Sequence, residues 1–228
     1  MKFGAVQRRL PRFLRRHILH FEAAIEDSLA SFAAGLPAGS RLLDAGAGEA
    51  RHGRWFPRQR YVAVDLTVGD SAWDYSKLDA VADLHALPFP EGSFDACLNV
   101  VTLEHVREPL CVLRELARVL APGGAILLVV PQEWEMHQVP HDYYRYTRFG
   151  LAYLLEQAGF QSWSIQPVGG FFRLLARRLW NALQFFPWFL FPFALILAAP
   201  PALLLPFADG LDRERNFTLG YVCTARKR

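Results

Sequence analysis

Residues 41–50 constrain the fold more than any other stretch of the chain. Two leucines supply the apolar run of a buried parallel strand, and Asp44 follows them at its carboxyl end. Gly46 and Gly48 come next, where a backbone must turn tightly and approach a ligand closely. The pattern predicts a strand, a glycine turn and a helix, with a small-molecule site at the turn.

The spacing of the small residues separates two nucleotide-binding patterns. A dinucleotide fingerprint needs a third glycine at the position of Arg51. The chain instead has an acid and then small residues at every second place, ending at Ala50. This arrangement resembles motif I of class I S-adenosylmethionine-dependent methyltransferases, in which the third small residue is usually glycine. The alternative is an ordinary strand-to-helix turn without a ligand.

Acidic residues also follow the next two predicted strands. Residues 61–65 form the second strand, and Asp65 lies 21 residues beyond Asp44. An acid about 20 residues after the glycine turn can accept both hydroxyls of a ribose, whereas the alternative is a helix cap or a solvated turn. Residues 80–90 resemble the methyltransferase segment that meets adenine, which implies that Asp83 and the Leu84 backbone make that contact.

The resemblance continues through the strings 94–95, 104–105 and 122–124, and it covers about residues 40–168 and the last strand. It implies an α/β fold with three layers, doubly wound around a mostly parallel seven-stranded sheet whose last strand is antiparallel. The strands expected after the third are residues 96–102, 125–130, 162–168 and 217–225. A helix is expected from Pro109, ended by Gly123 and Gly124.

The same resemblance implies S-adenosylmethionine as the cofactor. We assign its binding to Asp44, Gly46, Gly48, Asp65, Asp83, Leu84 and Asn99. The first three would hold the methionine part. Methyl transfer from a sulfonium is an in-line displacement, in which the protein aligns the reactants and removes a proton from the acceptor.

The loop 131–146 is unusually polar and aromatic and follows the fifth predicted strand. Ligands of open α/β sheets lie beyond the carboxyl ends of the strands, so we expect this loop over the site. Its run 141–147 resembles a signature of a bacterial methyltransferase branch associated with cell-surface glycan or lipid pathways. We assign catalysis to His141, ranked first as the base, His105 and Asp142, and acceptor binding to His137, Tyr144 and Arg145.

Two alternatives stay open in this loop. Asp142, Tyr144 and Arg145 either bind the acceptor or fix the loop. His137 and His141 have the spacing of metal ligands on a helix, but no further ligands accompany them in the sequence, and no metal is predicted.

The distribution of charge indicates which partners the chain can have, and its cysteines indicate the compartment. Residues 1–20 hold six cations and no acid (Lys2, Arg8, Arg9, Arg12, Arg15 and Arg16), while the last three residues add three cations. Such ends suit an anionic membrane surface better than a nucleic-acid groove. The three cysteines form no CxxC pair and read as buried free thiols, and no cleavable signal peptide is visible, so cytosolic exposure is expected.

About fifty residues separate the sixth and seventh predicted strands, and residues 179–208 contain no charge. A single membrane crossing would put the last strand on the opposite side of the membrane from the sheet that it completes. We therefore predict two helical limbs that turn near Pro200 and Pro201 within one leaflet. A soluble lid or a dimer interface is the alternative. A basic amphipathic helix over residues 10–34 either packs on the sheet or lies on the membrane.

These patterns predict three parts: an N-terminal helix (1–36), a methyltransferase domain (37–170 and 214–228) and a hydrophobic insertion (171–213). The function implied is O-methylation of a lipid-linked, glycan or other amphiphilic acceptor by a peripheral or monotopic protein on the cytosolic face of the cell membrane. A quinone or phospholipid-headgroup methyltransferase is one alternative, and a non-catalytic membrane scaffold is another. No oligomeric state is predicted.

Overall fold

The computed structural model describes residues 11–228, with only the backbone of Arg12. The chain divides into two compact units, and the described residues of the first, here called the helical unit, are 11–24 and 167–220. The second, the sheet unit, comprises residues 25–166 and 221–228. This division differs from the predicted boundaries at residues 36, 170 and 213, because the N-terminal segment through Ala24 groups with the insertion.

The strands form one sheet in the order β3-β2-β1-β4-β5-β7-β6. Their bounds are β1 (Arg41–Ala45), β2 (Arg60–Asp65), β3 (Ala80–Val81), β4 (Phe94–Val100), β5 (Leu120–Pro131), β6 (Phe160–Val168) and β7 (Gly220–Lys227). The pairs β1–β2, β1–β4, β2–β3 and β4–β5 are parallel, whereas β5 and β7 are antiparallel. The predicted seven-stranded sheet with an antiparallel last strand is therefore confirmed.

The α-helices are α1 (Arg12–Ile18), α2 (His20–Gly35), α3 (Pro109–Val119), α4 (Arg148–Gln157), α5 (Phe171–Ala182) and α6 (Phe191–Leu204). In α3, Val112, Leu113 and Leu116 recur at helical spacing and are fully buried in the core of the sheet unit. The helix ends at Val119, because β5 already begins at the next residue. The expectation that Gly123 and Gly124 end the helix is therefore wrong.

The connection after β1 is shorter and tighter than predicted. A 3-10 helix, Arg51–Trp55, replaces the expected α-helix, and no α-helix joins β2 to β3 in the described chain. Gly53 and Pro57 interrupt the segment before a full α-helical turn can propagate. Ala50, which stands where motif I usually has glycine, adopts a left-handed backbone with φ of 54°.

The predicted helix over residues 10–34 is two helices that break at Leu19. Part of the predicted basic cluster, Lys2, Arg8 and Arg9, lies outside the described residues. From α1, the His17 Nε2 atom lies 2.8 Å from the carbonyl oxygen of Leu203, and its ring lies 5.2 Å from that of Phe207. The N-terminal helix therefore packs against the hydrophobic insertion.

The insertion turns at a different proline from the one predicted. Helix α6 runs through Pro200 and Pro201 and continues as a 3-10 helix, Leu205–Leu211. The break instead precedes Pro187: Phe186 is extended with ψ of 131°. A proline disfavours the helical region for the residue before it, which explains a break at this point.

One helical stretch within residues 11–228, Phe191–Leu211, is apolar and long enough at 21 residues to cross a membrane, and only 17% of its apolar window is buried.

Candidate active site

A cavity of about 290 Å³ lies at the carboxyl-terminal edge of the sheet unit, a volume near the lower limit of small-molecule sites. Its wall comes from the segments that follow β1, β2, β3 and β4 and from the loop that follows β5. Six of the predicted site residues contribute to this wall: Gly46, Asp65, Asp83, Leu84, His105 and His141. Parallel strands thus bring residues far apart in sequence to one place.

Gly46 forms the floor of the cavity after β1. Its φ is +85°, a conformation that side chains other than glycine rarely adopt, and a Cβ atom there would overlap the side chain of Thr102. Thr102, also on the wall, donates its hydroxyl to the Gly46 carbonyl oxygen at 3.2 Å. Because Gly46 has no side chain and contacts Thr102 directly, its backbone forms part of the cavity wall.

Asp65, at the end of β2, is held by two backbone amides. Its Oδ2 accepts a hydrogen bond from Gly48 N–H at 2.9 Å, and its Oδ1 accepts one from Thr67 N–H at 2.7 Å. A carboxylate oxygen has a second lone pair, so the group retains capacity for ligand hydroxyls. Gly48 is not on the cavity wall, and its contribution is to fix Asp65.

Asp83 is the exposed acid of the wall. Its Oδ1 accepts hydrogen bonds from the backbone N–H of His85 at 2.9 Å and lies 2.6 Å from the His85 Nδ1 atom. These bonds hold the pKa of Asp83 below its usual value, so it is ionised at neutral pH. Leu84 is buried beside it. His85, also on the wall, carries no motif in the sequence and was not predicted.

Asp44 is fully buried and is not on the cavity wall. Its Oδ2 accepts hydrogen bonds from the Tyr61 hydroxyl and from His52 Nδ1, at 2.9 Å in the latter case. Burial opposes a charge on His52, but the Asp44 carboxylate raises the pKa of that imidazole overall. Asp44 thus joins the 3-10 helix to β2 behind the glycine turn, through two partners that sequence spacing could not identify.

Asn99 is likewise buried and away from the wall. Its side-chain amide donates to the Ala45 carbonyl oxygen at 2.9 Å, which ties the end of β4 to the end of β1. Within the described part of the chain its Oδ1 atom has no hydrogen-bond partner. The assignments of Asp44 and Asn99 to direct cofactor contact stay predictions.

The loop after β5 is fixed to the segment after β4 by its own tyrosines. The backbone N–H groups of Tyr143 and Tyr144 donate to the Glu104 carbonyl oxygen at 2.9 and 3.2 Å. The buried Tyr146 donates its hydroxyl to the Leu103 carbonyl oxygen at 2.8 Å. This bonding holds the loop beside the cavity, where the sequence predicted it.

Asp142 and Arg145 fix the loop internally. Arg145 donates to both Asp142 oxygens, at 2.7 and 2.8 Å, and Asp142 also accepts the backbone N–H of His137 at 2.9 Å. The Arg145 hydrogen bonds lower the pKa of Asp142 to about 2. Asp142 therefore does not pair with His141, which was the reason for ranking that histidine first. Neither Asp142, Arg145, Tyr144 nor His137 lies on the cavity wall.

Two of the predicted histidines do line the cavity. His141 Nδ1 lies 3.1 Å from the Tyr143 hydroxyl. His105 Nδ1 lies 2.6 Å from the His141 carbonyl oxygen, and burial lowers the pKa of His105. No described residue gives the buried Nε2 atom of His105 a hydrogen bond.

Glu104 was not among the predicted site residues, but its side chain lies beside the cavity residue His105. It is fully buried, and neither carboxylate oxygen has a hydrogen-bond partner among residues 11–228. Burial raises its pKa to about 8. Its side chain lies with those of His105 and His137 in one cluster. The only sequence signal for it was its place in the string 104–105.

The sheet order, the antiparallel last strand and the glycine turn beneath the Asp65 carboxylate define the class I S-adenosylmethionine-dependent methyltransferase fold. Residues 43–128 match the family model described as a methyltransferase domain. Over these residues, which are less than half of the chain, the sequence is similar to that domain.

Curated relatives match part of the chain. It is 33% identical over 110 residues to malonyl-[acyl-carrier protein] O-methyltransferase of Halorhodospira halophila, covering 43% of this chain and 37% of that protein. It is 30% identical over 123 residues to 2-methyl-6-phytyl-1,4-hydroquinone methyltransferase of Synechocystis sp., covering 48% and 37% respectively. The chain thus spans little more than a third of the length of these relatives.

Among solved structures, the fold is similar to that of Burkholderia thailandensis 1,6-didemethyltoxoflavin-N1-methyltransferase, which was crystallised with S-adenosylhomocysteine. The TM-score is 0.55 at 20% identity, over 99% of this chain and 89% of that one. At this identity the likeness concerns the fold alone.

Proposed function

We propose that this chain is an S-adenosylmethionine-dependent methyltransferase that methylates a hydroxyl of an amphiphilic acceptor at the cytosolic face of a membrane. The observation that carries the catalytic part is the cavity on whose wall Gly46, Asp65 and Asp83 meet. A bare glycine backbone and two carboxylates at successive strand ends match the parts of a sulfonium nucleoside.

The residues present fit this cofactor. Gly46 brings backbone without a side chain to the cavity wall, where it would contact the methionine part, and Asp65 keeps lone pairs for the ribose hydroxyls. Asp83 and the Leu84 backbone would contact the adenine. When bound, the cofactor supplies a methyl group on a sulfonium, which is transferred by in-line displacement.

His141 is the proposed general base. Its imidazole lines the cavity, whereas the free nitrogen of His105 is buried and Asp142 is engaged by Arg145. His141 would accept the proton of the acceptor hydroxyl as that oxygen takes the methyl group and the sulfonium becomes a neutral thioether. A positioned base of this kind contributes roughly 100- to 10,000-fold in rate.

The amphiphilic acceptor is supported by the surface of the helical unit. Trp188, Phe185 and Phe207 are 82%, 80% and 79% exposed, and they stand in a run without charge. Large exposed apolar surfaces of this kind indicate a membrane or protein partner. The cations at the start of the chain and Arg213 and Arg215, after the uncharged run 179–208, favour an anionic bilayer on the cytosolic side.

Transfer of label from [methyl-³H]S-adenosylmethionine into a bacterial membrane lipid extract tests the reaction. We expect labelled product in the lipid phase, at a rate about a hundredfold lower for His141→Ala because the base is removed. Calorimetry should find the cofactor affinity of this variant unchanged. Cofactor binding without any labelled product would instead favour the scaffold alternative.

Mass spectrometry of the labelled lipid then separates the acceptors. The name of the Synechocystis relative specifies a phytyl hydroquinone, which makes a quinol the second candidate acceptor for this chain. A labelled phospholipid headgroup would support the remaining alternative.

Flotation with phosphatidylglycerol and phosphatidylethanolamine vesicles tests the membrane attachment. We expect the double variant Trp188→Glu and Phe193→Glu to bind the vesicles at least tenfold more weakly, since burying an aromatic side chain is worth roughly 1.5–3 kcal/mol. Both side chains are exposed, so the fold should be retained.

Phe149→Glu is the matched control for that experiment. Phe149 is 73% exposed but belongs to the sheet unit, and its replacement should leave vesicle binding unchanged. Equal binding by all three proteins would remove the insertion as the membrane anchor, and the soluble lid or dimer interface would take its place.

A further inference from the structure

Three side chains from two separate segments converge beside the cavity. Glu104 and His105 come from the 3-10 helix after β4, Leu103–His105, and His137 comes from the loop after β5. One potential ligand atom of each lies within 4.8 Å of the others, and His105 Nε2 is 3.7 Å from Glu104 Oε1. The rings of His105 and His137 meet edge to face with centroids 4.7 Å apart.

Several polar atoms of this cluster are buried and make no hydrogen bond in the described structure. Both oxygens of Glu104 and the Nε2 atom of His105 are buried without a hydrogen bond from any residue between 11 and 228. A buried carboxylate without partners is costly, and such groups in native proteins are paired or coordinate metals. The three atoms are therefore candidate ligands for a cation.

Backbone carbonyls set the tautomers of both histidines. His105 Nδ1 lies 2.6 Å from the His141 carbonyl oxygen, and His137 Nδ1 lies 3.1 Å from that of Glu135. A carbonyl oxygen only accepts, so each Nδ1 carries the proton, and each Nε2 keeps a lone pair. Histidines that bind metals through one nitrogen commonly donate the other N–H to such a carbonyl.

We propose that Glu104, His105 and His137 bind a divalent first-row transition ion, with Zn²⁺ as the preferred metal. Two imidazoles and one carboxylate are a ligand set that suits such an ion, whereas Mg²⁺ prefers oxygen ligands and water. Ligands about 2.1 Å from a tetrahedral Zn²⁺ are roughly 3.4 Å apart. The His105–Glu104 pair, at 3.7 Å, is already near that distance, whereas the other pairs, within 4.8 Å, would have to close further.

The surrounding charges permit a dication. Asp142 Oδ2 is 3.5 Å from His137 Nδ1, and Asp142 is itself paired with Arg145. Those two charges cancel, so this pair does not oppose a dication, and Glu104 would bind the ion in its ionised form, releasing its proton.

Binding the ion would join the loop after β5 to the segment after β4. Three protein ligands leave a fourth position on a tetrahedral ion, which a water molecule can fill. The site goes beyond the proposed methyl transfer, which needs no metal in itself.

Titration of the whole, chelator-treated chain with Zn²⁺, in competition with a chromogenic chelator, tests the site. We expect one Zn²⁺ per chain, and at least hundredfold weaker binding for both His137→Ala and Glu104→Gln. Co²⁺ should give the visible absorption of a low-symmetry nitrogen and oxygen site in the wild type only. Circular dichroism checks the fold, and His137, which is partly exposed, keeps the test valid if Glu104→Gln fails to fold.

His85→Ala is the matched control, because His85 lies on the same cavity wall but outside the cluster. It should retain the wild-type stoichiometry and affinity. Absence of a one-to-one complex in the wild type, or equal Zn²⁺ affinity in all four proteins, would overturn the proposal. The readout is metal binding, so failure of methyl transfer would leave this result unaffected.

Discussion

Gly46→Ala is expected to destabilise the protein by about 2–5 kcal/mol, the sum of a left-handed alanine at roughly 1–2 kcal/mol and overpacking at roughly 1–3 kcal/mol. The added Cβ atom would overlap Thr102, and the displaced side chain belongs to the cavity wall. S-adenosylmethionine binding should therefore be lost together with stability. Urea unfolding followed by fluorescence measures the first effect, and calorimetry measures the second.

Gly39→Ala separates the two contributions. Gly39 has nearly the same backbone conformation, with φ of +79°, but no described atom lies within 4 Å of where its Cβ would stand. This control should lose only about 1–2 kcal/mol and keep its cofactor affinity. Equal losses in the two variants would show that the contact with Thr102 is unimportant.

Asp65→Ala is expected to weaken S-adenosylmethionine binding at least a hundredfold. Hydrogen bonds to a charged group contribute about 1.5–3 kcal/mol each, and two ribose hydroxyls would lose their acceptor. The variant also leaves the Gly48 N–H without its acceptor, which loosens the glycine turn. Calorimetric titration of the folded variant is the measurement.

Asp70→Ala is the control for that substitution. Asp70 makes the same kind of turn, accepting the Ala72 N–H at 2.9 Å as Asp65 accepts the Thr67 N–H at 2.7 Å, but it is not on the cavity wall. Its removal should leave the affinity unchanged. An unaltered affinity in Asp65→Ala would contradict the ribose assignment.

The alternation of apolar strands and strand-end acids made the sheet predictable. Asp65 and Asp83 could be placed at one edge because parallel strands in this topology end there, and the structure brings both to the cavity. The insertion was recognisable from its lack of charge. Its turn was misplaced because proline content alone does not reveal which proline is preceded by an extended residue, as Phe186 is.

The remainder of the site depends on contacts between segments distant in sequence. Asp44 looked like a ligand contact, but its partners, His52 and Tyr61, become apparent only when the turn folds back on β2. The run 141–147 looked catalytic, yet most of its polar groups fix the loop. Glu104 and His137 are 33 positions apart in the sequence, so no local spacing could have paired them.

We expect the cavity at the ends of β1, β2 and β4 to bind S-adenosylmethionine. Calorimetric titration of the whole chain with S-adenosylmethionine, with NADH and ATP titrated in parallel, measures this binding. We predict saturable binding of one S-adenosylmethionine per chain and none of the other two nucleotides. Absence of saturable S-adenosylmethionine binding by the folded protein would contradict this expectation.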